Sequence, residues 1–323
     1  MTSFWNKKKV AITGAAGFAG SHAVDLLLEY GAAVTAVDIS ANDWPKNLAH
    51  VKDDIRFIPA DLLTAEGAAK ACGDQEVVLN LAARTGSIAY NAAHPGGVFR
   101  DNVLMSVNMM EAARQAGVER FLAVSSSCVY PPDASVPTPE TEGFLRDPEP
   151  ANFGYGWAKR MLEVQAKTYA EEFGLAIAIV RPYNGYGPRD HFDPAVSHVI
   201  AALIKRAVDG EDPVTVWGDG TQKRTFLHVR DFARGLILAA EKYPVCDPVN
   251  IGADEETTIA DLAKQILALA GSKATLYFDT TKPGGQARRH SSTTKAKDKL
   301  GFTAEVPLAE GLAETIAWYR RNL

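Results

Sequence analysis

Cysteine is scarce in this chain. Its 323 residues include three, Cys72, Cys128 and Cys246, an odd number set far apart, which excludes a disulfide framework. With no Cys-x-x-Cys pair and no Cys/His cluster, nothing reads as a metal site. Long apolar runs are missing too. Nowhere do 18 apolar residues follow one another, and Met1 to Trp5 contains no apolar segment of signal-peptide length, so the reading is of a cytoplasmic protein with no membrane partner. A basic stripe is also lacking. The net charge is −5, and Lys7-Lys8-Lys9 is a short lead-in to a strand, which argues against a nucleic-acid surface. Repeats and low-complexity tracts are absent.

What is present is an ordinary globular composition, 46% hydrophobic with 26 Gly and 17 Pro, long enough for one large or two smaller domains. Lys9 to Thr13 reads as a strand, followed by Gly14-Ala15-Ala16-Gly17-Phe18-Ala19-Gly20 and a helical pattern through Tyr30. Glycines at 14, 17 and 20 permit a tight turn and a close approach to a pyrophosphate at the helix N-terminus. The spacing is Gly-x-x-Gly-x-x-Gly where the usual fingerprint has Gly-x-Gly-x-x-Gly. The next strand, Ala33 to Val37, ends in Asp38, eighteen residues after Gly20, where a carboxylate can hold the adenosine ribose. It would repel a 2′-phosphate, and no Arg or Lys follows before Lys46, so NAD is expected over NADP.

Strand and helix patterns keep alternating. Ile55 to Pro59 precedes Asp61 and Leu62, placed either to meet the adenine or to cap a helix, and Val77 to Leu81 leads to the small Ala82-Ala83. A long amphipathic helix is expected from Asn102 through Ala116, a strand over Arg120 to Val124, a helix from Tyr155 to about Phe173 and a strand over Ala176 to Val180. Such β-α units predict an α/β fold, a doubly wound parallel sheet with its site at the carboxyl ends of the strands. Beyond Arg181 the texture changes. Turn formers and scattered aromatics dominate to Arg224, a helix starting near Ser197-His198 carries Lys205 and Arg206, Val214 to Trp217 is a strand, and Phe226 to Val229 is expected to rejoin the main sheet. The organisation reads as a dinucleotide-binding domain over residues 1–182, completed by about 225–250, with 183–224 and 251–323 mainly a smaller, discontinuous substrate-binding region. The helix Leu308 to Arg321 closes the fold.

The chemistry gathers between Ser125 and Lys159. Tyr155 and Lys159 lie four apart, hence on one helix face. A tyrosine titrates near pH ~10, and a neighbouring ammonium is expected to draw it down and make it a usable acid or base. Ser126, at the end of the preceding strand, can donate to a substrate oxygen.

Taken together these residues resemble the extended short-chain dehydrogenase/reductases that act on nucleotide sugars. The resemblance spans nearly the whole chain: the glycine loop, Asp38, Asp61-Leu62, Asn80-Leu81-Ala82-Ala83, Ser126, Tyr155-x-x-x-Lys159, Arg181-Pro182-x-Asn184-x-Tyr186-Gly187-Pro188 and Arg224-x-Phe226-x-His228-Val229-x-Asp231. It implies that Ser126, Tyr155 and Lys159 are catalytic, and that the chain pairs as a homodimer, for which the helices at Asn102 and Tyr155 are candidates. Ser127 and Cys128 stand where dehydratases carry an Asp-Glu pair, which disfavours a 4,6-dehydratase. The run Ser126 to Pro131 resembles the GDP-mannose 3,5-epimerase and GDP-L-fucose synthase branches, whose cysteine is an acid/base next to a sugar ketone. The segments Asp193-Pro194-x-x-Ser197-His198 and Phe278-Asp279-x-x-Lys282-Pro283-x-Gly285 are similar to the synthases, and make His198 the second acid/base. By contrast Asp43-Trp44-x-Lys46-Asn47 and Trp217-Gly218-Asp219-Gly220 are similar to the epimerases.

Alone, Cys128 would be a small hydrophobe and His198 a packing residue at a helix start. Placed in these motifs, both suit proton transfer at carbons flanking a ketone. Arg224, with Lys205 and Arg289, is expected to meet the substrate diphosphate, because cations suit phosphate oxygens. Trp217 would flank the base, Asn184 the sugar or pyrophosphate, and Ser127 the substrate. The expectation is an NAD-dependent GDP-hexose 3,5-epimerase. The alternatives are a synthase-type epimerase-reductase using NADPH on a GDP-4-keto-6-deoxy sugar, and an NAD-binding sensor without activity.

Overall fold

The structure, a computed structural model, describes residues 4–39, 44–194, 196–282 and 286–323. Asp43, Pro283 and Gly285, quoted in the motifs above, and Met1 to Ser3 lie outside the described residues.

Seven parallel strands form the main sheet, in the order Val249–Ile251, Ala176–Pro182, Arg120–Val124, Val77–Asn80, Lys9–Thr13, Ala33–Asp38, Arg56–Pro59. Central strands such as Val77–Asn80 are buried along their whole length, as expected for a sheet covered on both faces. On one face the helices Phe18–Glu29, Val229–Lys242 and Thr294–Leu300 bury Val24, Leu27, Leu236, Ala296 and Leu300. The opposite face is covered by Ala65–Cys72, Pro95–Gln115 and Phe153–Phe173. The strand order reverses between Lys9–Thr13 and Val77–Asn80, which opens a crevice at their carboxyl ends. There the Thr13 hydroxyl donates to Asn80 Oδ1 at 2.7 Å and accepts the Ala82 N–H at 3.1 Å.

A second core joins the helices Val199–Val208, Ile259–Leu269 and Leu308–Arg321 through Ile204, Leu262, Leu312 and Ile316. Beside it Val214–Trp217 pairs with Leu276–Asp279, and Lys223–Thr225 lies between Glu256–Thr258 and Arg288–Arg289.

Two expectations need correction, and one element was missed. The long helix begins at Pro95, well before Asn102; a proline fits the first helical turn, where its missing N–H costs nothing. Ahead of it, Ile88–Ala93 forms a short helix that the sequence reading left out, started by the Ser87 hydroxyl accepting the Tyr90 N–H. Leu227–His228 does not rejoin the main sheet: it pairs with Gly185–Tyr186 in a separate ribbon, and Val249–Ile251 supplies the seventh strand. Residues 294–304 place Ala296, Leu300 and Phe302 in the core of the nucleotide-binding half.

Candidate active site

A cavity of about 1570 Å³ runs along the carboxyl ends of the strands and on between the two cores. One small ligand typically fills roughly 300–1,000 Å³, so this space accommodates two. Every site residue expected from the sequence lines it: Gly14, Gly17, Phe18, Gly20, Asp38, Asp61, Leu62 and Ala82 at one end, Ser126, Ser127, Cys128, Tyr155, Lys159 and Arg289 in the middle, and Asn184, His198, Lys205, Trp217 and Arg224 beyond.

At the first end the backbone is bare by necessity. Gly14 has φ +64°, and a Cβ there would stand 3.0 Å from the Ala82 backbone, while one on Gly20 would meet the Gly14 carbonyl oxygen at 2.1 Å. Asp38 accepts the Ala16 N–H at 2.9 Å and the Ile39 N–H at 2.8 Å, which fastens a carboxylate beside the loop. Asn47, which the sequence reading gave no role, donates to the Ala16 carbonyl at 2.9 Å. Asp61 accepts the Leu63 N–H at 3.0 Å. The uncovered glycine backbone at a helix N-terminus fits a pyrophosphate, and Asp38 fits a ribose diol, so these residues suit a dinucleotide.

In the middle, Ser126 follows the strand Arg120–Val124 by two residues, and its hydroxyl accepts the Cys128 N–H at 3.1 Å. Gly156 lets the next helix close on this turn, since a Cβ would stand 2.5 Å from the Cys128 carbonyl oxygen. Ser126 acts on the Tyr155 phenol, and the Lys159 ammonium donates to the Val124 carbonyl at 2.7 Å, 5.6 Å from the Tyr155 ring centre. The expected depression of the tyrosine is not found in the protein by itself. Burial, with the nearby Cys128, raises the Tyr155 pKa, and Ser126 only opposes this. Burial also pulls Lys159 down to about 8, against the pull of Cys128 and Glu163. Desolvation dominates here because both groups lie inside the protein.

Arg289 binds at this reacting centre. Its guanidinium donates to Ser127 Oγ at 2.7 Å and lies 3.8 Å from Cys128 Sγ. It is also in register with Arg224 on the neighbouring strand. Burial and then Arg289 bring the Arg224 pKa down to about 10. His198 precedes the Val199–Val208 helix and opens on the cavity; crowding by the surrounding protein, then His191 and Arg289, keep its pKa below the usual imidazole range. Lys205 is less available than the sequence suggested, because Asp209 binds its ammonium at 2.6 Å. Asn184 holds φ at +29° and donates to the Thr225 carbonyl at 2.8 Å. Burial pushes the thiols of Cys72 and Cys246 up to about 12 and about 11, so both stay protonated at neutral pH.

Other residues emerge only in three dimensions. The segment from Arg84 to Asn91 forms part of the wall. Asp190, on the same wall, is 8% exposed, and burial raises its pKa to about 7. Behind Lys159, Glu163 takes the Ser125 hydroxyl at 2.5 Å and the Arg181 guanidinium at 2.8 and 2.6 Å. Glu163 sits four residues after Lys159, a spacing that could have flagged it.

Comparison with known proteins agrees with this geometry. The profile of the NAD dependent epimerase/dehydratase family matches residues 10–252. GDP-L-fucose synthase 1 of Arabidopsis thaliana is 35% identical over 250 residues, 76% of this chain and 77% of that protein. GDP-mannose 3,5-epimerase 1 of Oryza sativa subsp. indica is 31% identical over 329 residues, 99% of this chain and 84% of that one. Among solved structures, the UDP-glucose 4-epimerase of Thermotoga maritima with UDP-glucose superposes with a TM-score of 0.87 at 31% identity, covering 97% of this chain and 99% of that one. A doubly wound sheet, a glycine loop with its acid, a Ser-Tyr-Lys centre and a family match over most of the chain lead to one conclusion: this protein is an enzyme of the NAD dependent epimerase/dehydratase family.

Proposed function

We propose that the enzyme is an NAD-dependent 3,5-epimerase of a nucleotide sugar, a GDP-hexose, working through a transient C4 ketone as a cytoplasmic homodimer. The observation that carries this reading is the place of Cys128: its N–H binds the Ser126 hydroxyl, its side chain acts on Tyr155 and Lys159, and its sulfur lies 3.8 Å from Arg289. A simple 4-epimerase has no use for a second proton-transfer group beside the tyrosine.

Gly14, Gly17 and Gly20 would hold the NAD pyrophosphate and Asp38 the adenosine ribose. When bound, NAD would supply the hydride acceptor for C4. Tyr155 takes the C4 hydroxyl proton as the ketone forms and returns it when the alcohol is restored. Ser126 donates to the same oxygen, and Lys159, fixed by the Val124 carbonyl, keeps a cation beneath the ring. Once C4 is a ketone the hydrogens on C3 and C5 are acidic, and inversion needs a base on one face and an acid on the other. Cys128 and His198 take those roles.

The outer faces of Pro95–Gln115 and Phe153–Phe173 expose Leu104, Val107 and Val164 by 41–45%, which supports pairing through these helices. The deciding experiment incubates the purified enzyme with GDP-mannose in deuterated water without added cofactor. Deuterium at C3 or C5 of an otherwise unoxidised sugar, lost in Cys128→Ser and His198→Asn, supports the epimerase. No uptake, with NADPH consumed on a GDP-4-keto-6-deoxy sugar, moves the assignment to the synthase, the reading favoured by His198.

A further inference from the structure

A chain of buried amides ends at the reacting centre on a carboxylate that has no role in the proposed mechanism. The Gly86 N–H donates to Asn91 Oδ1 at 3.2 Å, Asn91 Nδ2 donates to Asn152 Oδ1 at 3.0 Å, and Asn152 Nδ2 donates to Glu149 Oε2 at 3.4 Å. Asn91 and Asn152 are each 5% exposed, so the relay is rigid, and two neighbouring elements fix where Glu149 stands. Glu149 lines the main cavity, and also a small recess of about 20 Å³ that it shares with Cys128, Ser127 and Arg289. Its charge reaches both Arg224 and Arg289.

A carboxylate here is an acceptor only, with about four lone-pair directions. The long bond to Asn152 occupies one of them. What it can receive from the cavity is O–H or N–H, and what it repels is a second anion. Beside it stand Cys128, which faces the sugar ring in the proposed reaction, and Arg289, which reaches from Cys128 to the Arg224 strand. We infer that Glu149 is a specificity-determining residue: it accepts hydrogen bonds from hydroxyls of a neutral hexose and excludes sugars that carry a carboxylate, such as hexuronates. The inference rests on the proposed placement of the sugar ring, and goes beyond it by stating which sugars enter.

The test compares wild-type enzyme with Glu149→Gln, both loaded with NAD, by calorimetric titration with GDP, GDP-mannose, UDP-glucose and UDP-glucuronate. Wild type is expected to bind GDP-mannose more tightly than GDP, and UDP-glucose about tenfold or more better than UDP-glucuronate. Glu149→Gln should shrink the first gap by about tenfold, the effect of losing a hydrogen bond to a charged group. It should close the second gap and leave GDP itself within about twofold. Asn152→Ser, which loosens the relay but keeps the carboxylate, should move both gaps the same way and by less. The inference is overturned if the variant weakens GDP as much as GDP-mannose, or if wild type does not distinguish glucose from glucuronate. Deuterium incorporation from GDP-mannose, followed on the same samples, separates the two readings. Intact gaps without incorporation remove the epimerase and keep Glu149, whereas incorporation with gaps unmoved by Glu149→Gln does the reverse.

Discussion

Arg181 grips both carboxylate oxygens of Glu163, at 2.8 and 2.6 Å, with both side chains at most 4% exposed. Despite the cost of burial, the carboxylate holds the guanidinium above its ordinary pKa. The pair ties the last long strand to the helix that carries Tyr155 and Lys159, and the Tyr130 hydroxyl and the Glu140 carbonyl complete it. Removing one partner strands the other charge. Glu163→Gln should lose roughly 3–5 kcal/mol of stability, measured by denaturant titration. A double change of Glu163 and Arg181 to Met should recover much of that loss, and an equal loss in single and double variants would contradict this account.

Lys159 makes stability depend on pH in an unusual direction. Its pKa falls from 10.5 unfolded to about 8 folded, so burial of the charged form costs stability at every pH below 8. Between pH 8 and 10.5 the unfolded chain binds the proton and the folded one does not, and stability therefore rises with pH. The contribution, a few kcal/mol, is complete above 10.5. Above pH 9 the raised thiols of Cys72 and Cys246 add the opposite slope, so the rise is read as the difference between the unfolding free energies of NAD-free wild type and Lys159→Met, which should grow in favour of wild type from pH 8 to 10.5. Unchanged pH dependence in the variant would refute the assignment.

Asp38 should decide the dinucleotide. Asp38→Ser removes the ribose acceptor and the charge that would repel a 2′-phosphate. NAD affinity is expected to fall about tenfold or more, and the preference over NADP to narrow, in direct titrations of the two cofactors.

Gly20 has no room for a methyl group, because the atom it would meet is backbone. Gly20→Ala should cost on the order of 1–3 kcal/mol by overpacking. It should also abolish NAD binding even where the fold survives, which separate melting and cofactor titrations will distinguish.

Much of this was legible in the sequence, for a local reason. The glycine loop, Asp38 and the Tyr155/Lys159 pair are set by spacing within one turn or one helix, and the cofactor half follows the alternation of strand and helix. Arg289 shows where local reading stops. It lies 161 residues from the sulfur it faces, and only the pairing of Arg288–Arg289 with Lys223–Arg224 brings it there. The relay to Glu149 was hidden for the same reason, since Asn91 and Asn152 meet across 61 residues. The expected pull of Lys159 on Tyr155 failed on a different ground: proximity was readable, but the degree of burial that decides the sign was not.

The registry of Arg224 and Arg289 has a mechanical side. Two guanidinium groups on adjacent strands push against each other in the resting enzyme, and the fold bears that repulsion across the wall of its own cleft. In the proposed function a diphosphate arriving there would cancel it, and would then act as a missing piece of the framework between the Lys223–Thr225 and Arg288–Arg289 strands.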